Sequence, residues 1–146
     1  MSAHVASAPT VVTHLEGACF AAQIRSHTII VDQPAHAGGD DLGPMPLELL
    51  GASLGTCVAL YVQRFLQARS LPYDGLRVEV SERKVREPAR VAEFEVRVVL
   101  PAALPERYAE MLERVVRSCP AHNTLTLGAE VSVSIEATAA VGAPVG

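Results

Sequence analysis

Between residues 104 and 119 the apolar positions Leu104, Tyr108, Met111, Leu112, Val115, Val116 and Cys119 return every three or four residues. Glu106, Glu110, Glu113, Arg114 and Arg117 fill the positions between them. That period predicts a surface helix with one buried stripe. Pro105 suits its first turn, the acids come early and the arginines late, and Glu110 with Arg114 and Glu113 with Arg117 stand four apart in the favoured order. Pro120 ends it.

A second pattern alternates strictly. From Ala129 to Ala137 the apolar residues Val131, Val133 and Ile135 face one way while Glu130, Ser132, Ser134 and Glu136 face the other, which predicts a strand with one wet side. The same alternation runs through Leu76, Val78 and Val80 and through Phe94, Val96, Val98 and Leu100, two strands expected to form a hairpin. Residues 82–90, charged and holding Pro88, read as the exposed link between them. Upstream, Ala18 to Arg25 and Thr28 to Asp32 read as two further strands and residues 10–16 as a third, before a Gly-, Pro- and Asp-rich loop, QPAHAGGDDLGPMP.

The segment after that loop, about Pro46 to Arg69, is a helix of another kind. From Leu47 to Val62 it is apolar or small nearly all the way round. With Glu48 inside it and fewer than the roughly 18 residues of a membrane span, this run reads as a buried helix and not as a transmembrane one. Gly51, Ala52, Gly55 and Ala59 form a small-residue strip that admits a close neighbour. A chain of 146 residues with one amphipathic helix and a few one-faced strands has too little material to enclose such a helix, which predicts a twofold dimer with central helices packed together and sheets around them. The whole is expected to be a single domain, ordered from about residue 10 to 137 with loose ends, in the α+β class.

Composition narrows the function classes. Hydrophobic residues make up 49% of the chain, which excludes disorder, but with three Phe, three Tyr and no Trp there is little surface for stacking bases. A net charge of −4 argues against a nucleic-acid backbone or an anionic membrane as partner. The first ten residues lack the basic and apolar stretches of a signal peptide, and the three cysteines are odd in number, so the expectation is a cytoplasmic protein with reduced thiols.

Those thiols are the main candidates for chemistry. Cys57 lies in the middle of the apolar helix and Cys119 on the buried stripe at the end of the amphipathic one, positions where packing alone accounts for a cysteine. Helix dipoles favour neither thiolate there, so reactivity would need a donor from elsewhere, and His122 is the nearest in sequence. Cys119 and His122 have a zinc-like spacing, but no second pair accompanies them, and His4, His14, His27 and His36 are scattered, so no metal is expected. Signatures of nucleotide binding, of α/β hydrolases and of metalloproteases are lacking, and no cofactor is expected. Cys19 shares a strand face with Ala21, Gln23 and Arg25 and reads as packing.

The string GPMPLELLGASLGTC ending at Cys57, followed by RSCPAHNTL around Cys119, resembles the OsmC/Ohr family of organic hydroperoxide reductases and osmotically induced relatives, with the element order similar from about residue 15 to 137. The resemblance implies an intertwined homodimer, two central helices wrapped by antiparallel sheets, and a thiol pair at its interface. It further implies that Cys57 attacks a hydroperoxide and becomes a sulfenic acid, that Cys119 resolves it as a disulfide, and that a dithiol reductant reopens that bond. Family enzymes carry a Glu directly after the proline that opens the central helix, and an Arg from the N-terminal half. Here the Glu position is Leu47, and the chain departs from the pattern.

Glu48 is one residue later. Nine residues at about 100° each leave it about 180° from Cys57, on the far side of a regular helix, where an acid in the first turn more naturally caps the helix. Arg25 is the only Arg before the central helix, and His122 is a candidate to replace part of the missing polar network as donor or base. Two functions follow. One is a thiol-dependent peroxidase acting on organic hydroperoxides through Cys57 and Cys119, with Glu48, Arg25 and His122 as candidate helpers. The other is a non-peroxidatic dimer that binds a hydrophobic small molecule, its thiols packed or redox-sensing; a purely structural dimer is the third and plainest reading.

Overall fold

The computed structural model of the chain describes residues 7–137, so the expectations for residues 1–6 and 138–146 lie outside the described residues. Three strands come first, β1 (Val11–Glu16), β2 (Cys19–Ile24) and β3 (His27–Val31), as an antiparallel meander in the order β1-β2-β3. The hairpin follows the long helix α1 (Pro46–Gln67) and consists of β4 (Arg77–Arg86) and β5 (Ala89–Val99). Next are a 3-10 turn at Glu106–Tyr108, the amphipathic helix α2 (Ala109–Arg117) and a third helix, α3 (Pro120–Leu127). Antiparallel strands with three helices make this an α+β fold.

The core forms where α1 lies on the hairpin, with α2 and α3 packed beside it. Leu54, Val58, Val62, Phe65 and Leu66 follow one another at helical spacing and are buried. Against them pack Val78 and Val80 of β4 and Phe94, Val96 and Val98 of β5, the same alternate positions that the sequence pattern singles out. Gly55 lets helix and sheet approach, since a Cβ there would sit 3.1 Å from Val80 Cγ2. On the other face of the hairpin Arg97 and Arg77 share Glu79, at 2.9 and 3.0 Å.

Three expectations are corrected. Residues 82–90 are not a long exposed link: the strands continue to Arg86 and restart at Ala89, leaving a two-residue turn. Charge did not prevent pairing, because the ribbon is exposed there and Arg83 bonds Glu93 across it at 2.8 Å. Pro120 ends α2 but opens α3, since a proline lacks the N–H a helix interior needs and loses nothing in a first turn. Residues 129–137 form no strand among the described residues: Val131, Val133 and Ile135 are 82, 80 and 92% exposed, and a strand requires a neighbour to bond its amides. Helix α1 as a whole has 22 residues, long and apolar enough by length and composition to cross a membrane, but its buried stripe packs on protein.

The chain covers α1 on one side. Leu47, Leu50 and Leu60 stay exposed on it, as do Val11, Val12 and Leu15 of the meander, which makes no extensive contact with the helices or the hairpin. Between meander and helix the loop is tightly organised around Asp32, a buried carboxylate that composition and periodicity did not reveal. Its oxygens accept the N–H groups of Gln33 (2.7 Å), Asp40 (3.1 Å) and Leu42 (3.1 Å). A Cβ at Gly43 would run into the carbonyl oxygen of Ile30, so the loop closes only with glycine there.

The Leu42 N–H above all, with those of Gln33 and Asp40, holds the Asp32 carboxyl below its ordinary value against the opposing effect of burial. A carboxylate whose value is lowered by folding contributes stability above its unfolded value, near 3.9, and loses it as pH falls through the lower folded value. Asp32→Asn is therefore expected to destabilise the protein at neutral pH and to flatten the acid limb of its stability below about pH 4. Urea titrations of both proteins across that range check it; an unchanged acid limb would contradict it.

Candidate active site

Pro120 decides the geometry of the site. By ending one helix and starting the next it leaves Cys119 between them in extended conformation, φ −67° and ψ 141°, as the N-cap of α3. The Cys119 sulfur accepts the His122 N–H at 3.3 Å, the bond that a serine or aspartate makes at most N-caps. This corrects the expectation that Cys119 sits at an unfavourable helix C-terminus: the amides it meets are those of a helix start, which favour negative charge.

Because α3 packs on α1, Cys119 arrives beside Cys57 in the same core. Cys119 has no exposed surface, whereas Cys57 is half-buried, and both are free thiols. Burial pushes the Cys119 thiol up, the N–H groups of His122 and Ala121 pull it down, and the neighbouring Cys57 thiol adds to the rise; burial wins. The inner thiol is thereby held protonated next to an outer one that solvent can reach.

His122 touches the pair through its backbone N–H, while its ring faces a cleft that neither cysteine lines. Its ring is half-buried, with Nδ1 shielded and without a partner among the described residues, at a cleft of about 350 Å³ that Leu54, Phe94, Val96, Leu125 and Arg90 also line. Glu48 does not approach the pair: its carboxylate accepts the Met45 N–H at 2.8 Å, capping α1, and it faces a separate groove between α1 and β4 with Gly51, Gly55 and Val80. Arg25 lies in the exposed turn between β2 and β3 at φ 55°, and the meander that carries it does not pack on α1 within the chain. Leu47 is exposed in the first turn of α1.

Cys19 is buried on β2, away from the pair, with burial first and then the Asp32 and Asp40 carboxylates pushing its thiol up. Among the described residues no group of three or more His, Cys, Asp or Glu side chains is placed to hold a metal ion. What sequence reasoning missed is α3 and hence the capping of Cys119. The signal was present in a proline that can start a helix as well as stop one, and in Gly128, φ 77°, which closes that helix eight residues later.

The family described as OsmC-like protein matches residues 38–135, more than half of the chain. The chain belongs to the OsmC-like protein family. Its fold is similar to that of a putative osmotic stress induced and detoxification response protein from Psychrobacter arcticus 273-4, at TM-score 0.74 and 20% identity over 83% of this chain and 90% of that one. An OsmC like protein from Mycoplasma pneumoniae aligns at TM-score 0.65 and 22% identity over 83% and 89%. An organic hydroperoxide resistance protein from Elizabethkingia anophelis aligns at TM-score 0.62 and 16% identity, again over 83% and 89%. Among curated proteins none matches the sequence.

Proposed function

We propose that this protein is a thiol-dependent peroxidase that reduces organic hydroperoxides, working as a homodimer in a reducing, cytoplasmic compartment. The observation that carries the reading is the meeting of a reachable thiol, Cys57, with a fully enclosed one, Cys119, on two packed helices. A single reactive cysteine would stop at the sulfenic acid, whereas a second thiol in contact converts it to a disulfide that can be recycled. Similar folds described as organic hydroperoxide resistance proteins support the substrate class.

In this reaction the Cys57 thiolate attacks one peroxide oxygen, the O–O bond breaks, and the alkoxide leaves and takes a proton as the alcohol. Cys119 displaces the hydroxyl of the sulfenic acid, releasing water and forming the Cys57 to Cys119 disulfide. A dithiol then exchanges with that disulfide, leaving both protein thiols reduced and itself oxidised. The apolar surroundings of Cys57, among them Leu54 and Val58, favour an organic peroxide over hydrogen peroxide.

A second copy accounts for what the single chain leaves bare. The outer face of α1, the meander and the alternating segment 129–137 present apolar surface and open backbone that no neighbour covers among the described residues, and the same partner would offer Arg25 a route to the site. One observation favours the alternative of a non-peroxidatic dimer binding a hydrophobic small molecule: Leu47 stands where family peroxidases have their carboxylate, and Glu48 is engaged elsewhere.

Substituting Cys57→Ser is expected to bring dithiol-dependent turnover of an organic hydroperoxide down to the uncatalysed background. Unchanged turnover would contradict the assignment, and wild-type protein that turns over no peroxide but retains a hydrophobic molecule in its native mass spectrum would favour the binding dimer. Sedimentation equilibrium is expected to return twice the 15.5 kDa mass of the chain; a monomer at micromolar concentration would contradict the second copy.

A further inference from the structure

The cleft between β5, α1 and α3 belongs to no step of the thiol chemistry, since neither cysteine lines it. Its walls are largely apolar, with Leu54 from α1, Phe94 and Val96 from β5 and Leu125 from α3. Leu54 stands one turn before Cys57 on α1, so the cleft adjoins the pair without including it. A volume of about 350 Å³ lies at the lower end of the range of small-molecule sites, about 300–1,000 Å³. At about 30 Å³ for each water-sized group it has room for roughly a dozen non-hydrogen atoms.

Four polar side chains share the lining, and two of them are already engaged. Glu93 accepts from Arg83 across the ribbon at 2.8 Å, and the Thr126 hydroxyl donates to the His122 carbonyl at 2.9 Å. Arg90 and His122 are left. Arg90 lies beyond a bulge in β5, where the register shifts and Ala92 has no partner on β4, and among the described residues no acid pairs with it. The His122 ring has no hydrogen-bond partner among the described residues, and its Nδ1 is shielded from solvent. A hydrogen on Nδ1 would be an enclosed donor without an acceptor, so the neutral ring carries its hydrogen on Nε2, the nitrogen that is left open.

We propose that this cleft is a second binding site, for a small monocarboxylate with an apolar body. The carboxylate takes the charge of Arg90 and the hydrogen of His122 Nε2, and the apolar part lies against Leu54, Phe94, Val96 and Leu125. One guanidinium and one neutral donor answer a single negative charge, whereas a phosphate dianion would leave a charge unmet and a plain hydrocarbon would strip water from Arg90 with nothing in return. The site goes beyond the peroxidase reading and does not depend on it.

Titration calorimetry of the full-length protein with 3-phenylpropanoate, and with its neutral amide, tests the proposal. The expected result is saturable binding of the carboxylate, about fivefold tighter than the amide, with that preference lost in Arg90→Gln. His122→Phe, which keeps a ring and loses the donor, is expected to weaken the carboxylate about fivefold. No saturable binding at about 5 mM ligand, as when a second copy covers the cleft, would overturn the proposal. So would a protein without preference for the carboxylate, or an affinity that neither substitution changes. Intermolecular NOEs locate the ligand: contacts from its ring to the methyl groups of Leu54, Val96 and Leu125 are expected, and contacts to Leu60 or Val12, on the bare apolar surfaces, would overturn the assignment. No peroxide enters either measurement, so binding without peroxide turnover would support this site and count against the peroxidase reading alone.

Discussion

Helix α1 is apolar on more of its circumference than one chain of this size can bury, and the rest of the molecule is arranged around that constraint. Its inner stripe, Leu54, Val58, Val62 and Phe65, gathers the hairpin, α2 and α3 into a single core. Burying these side chains, at about 1.5–3 kcal/mol each, is what makes the core worth the ordering of the chain. Its outer stripe, with Leu50 and Leu60, is left to something else, as are the meander and residues 129–137. The second copy proposed above would cover these three apolar surfaces together, and the same constraint puts Cys57 on a helix with protein on one side and an open face on the other.

The proposed thiol chemistry depends on a local decision inside that frame. Without Pro120, α2 would run on and carry Cys119 round its surface; with it, the chain turns at Cys119 and starts α3 against α1. The same break gives Cys119 the first amides of a helix and takes it out of solvent, two effects of opposite sign on its ionisation, of which burial is the larger. The pair is thus asymmetric by construction, an outer sulfur that solvent can reach and an inner one that burial keeps protonated.

Much of this was legible in the chain because period and burial are coupled. The alternation at Val78, Val80, Phe94, Val96 and Val98 marked the face of the hairpin that meets α1, and 100° per residue was enough to put Glu48 across the helix from Cys57, where it caps the helix start. What could not be read is non-local or two-valued. Pro120 both stops and starts helices, so α3 was hidden. The alternation at 129–137 specifies a strand but not its neighbour, and among the described residues none is present. The role of Asp32 comes from amides up to ten residues away, and no spacing rule announces a loop wrapped round a carboxylate. Similarly, the charges at 82–86 suggested a loop although an exposed ribbon accommodates them as ion pairs across it, Arg83 with Glu93, and along one strand, Lys84 with Glu82.

The central claim is that Cys57 and Cys119 form one redox unit and Cys19 is no part of it. Thiol counting and disulfide mapping by intact and peptide mass after one equivalent of an organic hydroperoxide test it most directly. The account predicts rapid loss of two thiols as a single Cys57 to Cys119 disulfide, with Cys19 still free. Slow oxidation spread over all three cysteines, or a linkage that includes Cys19, would contradict it.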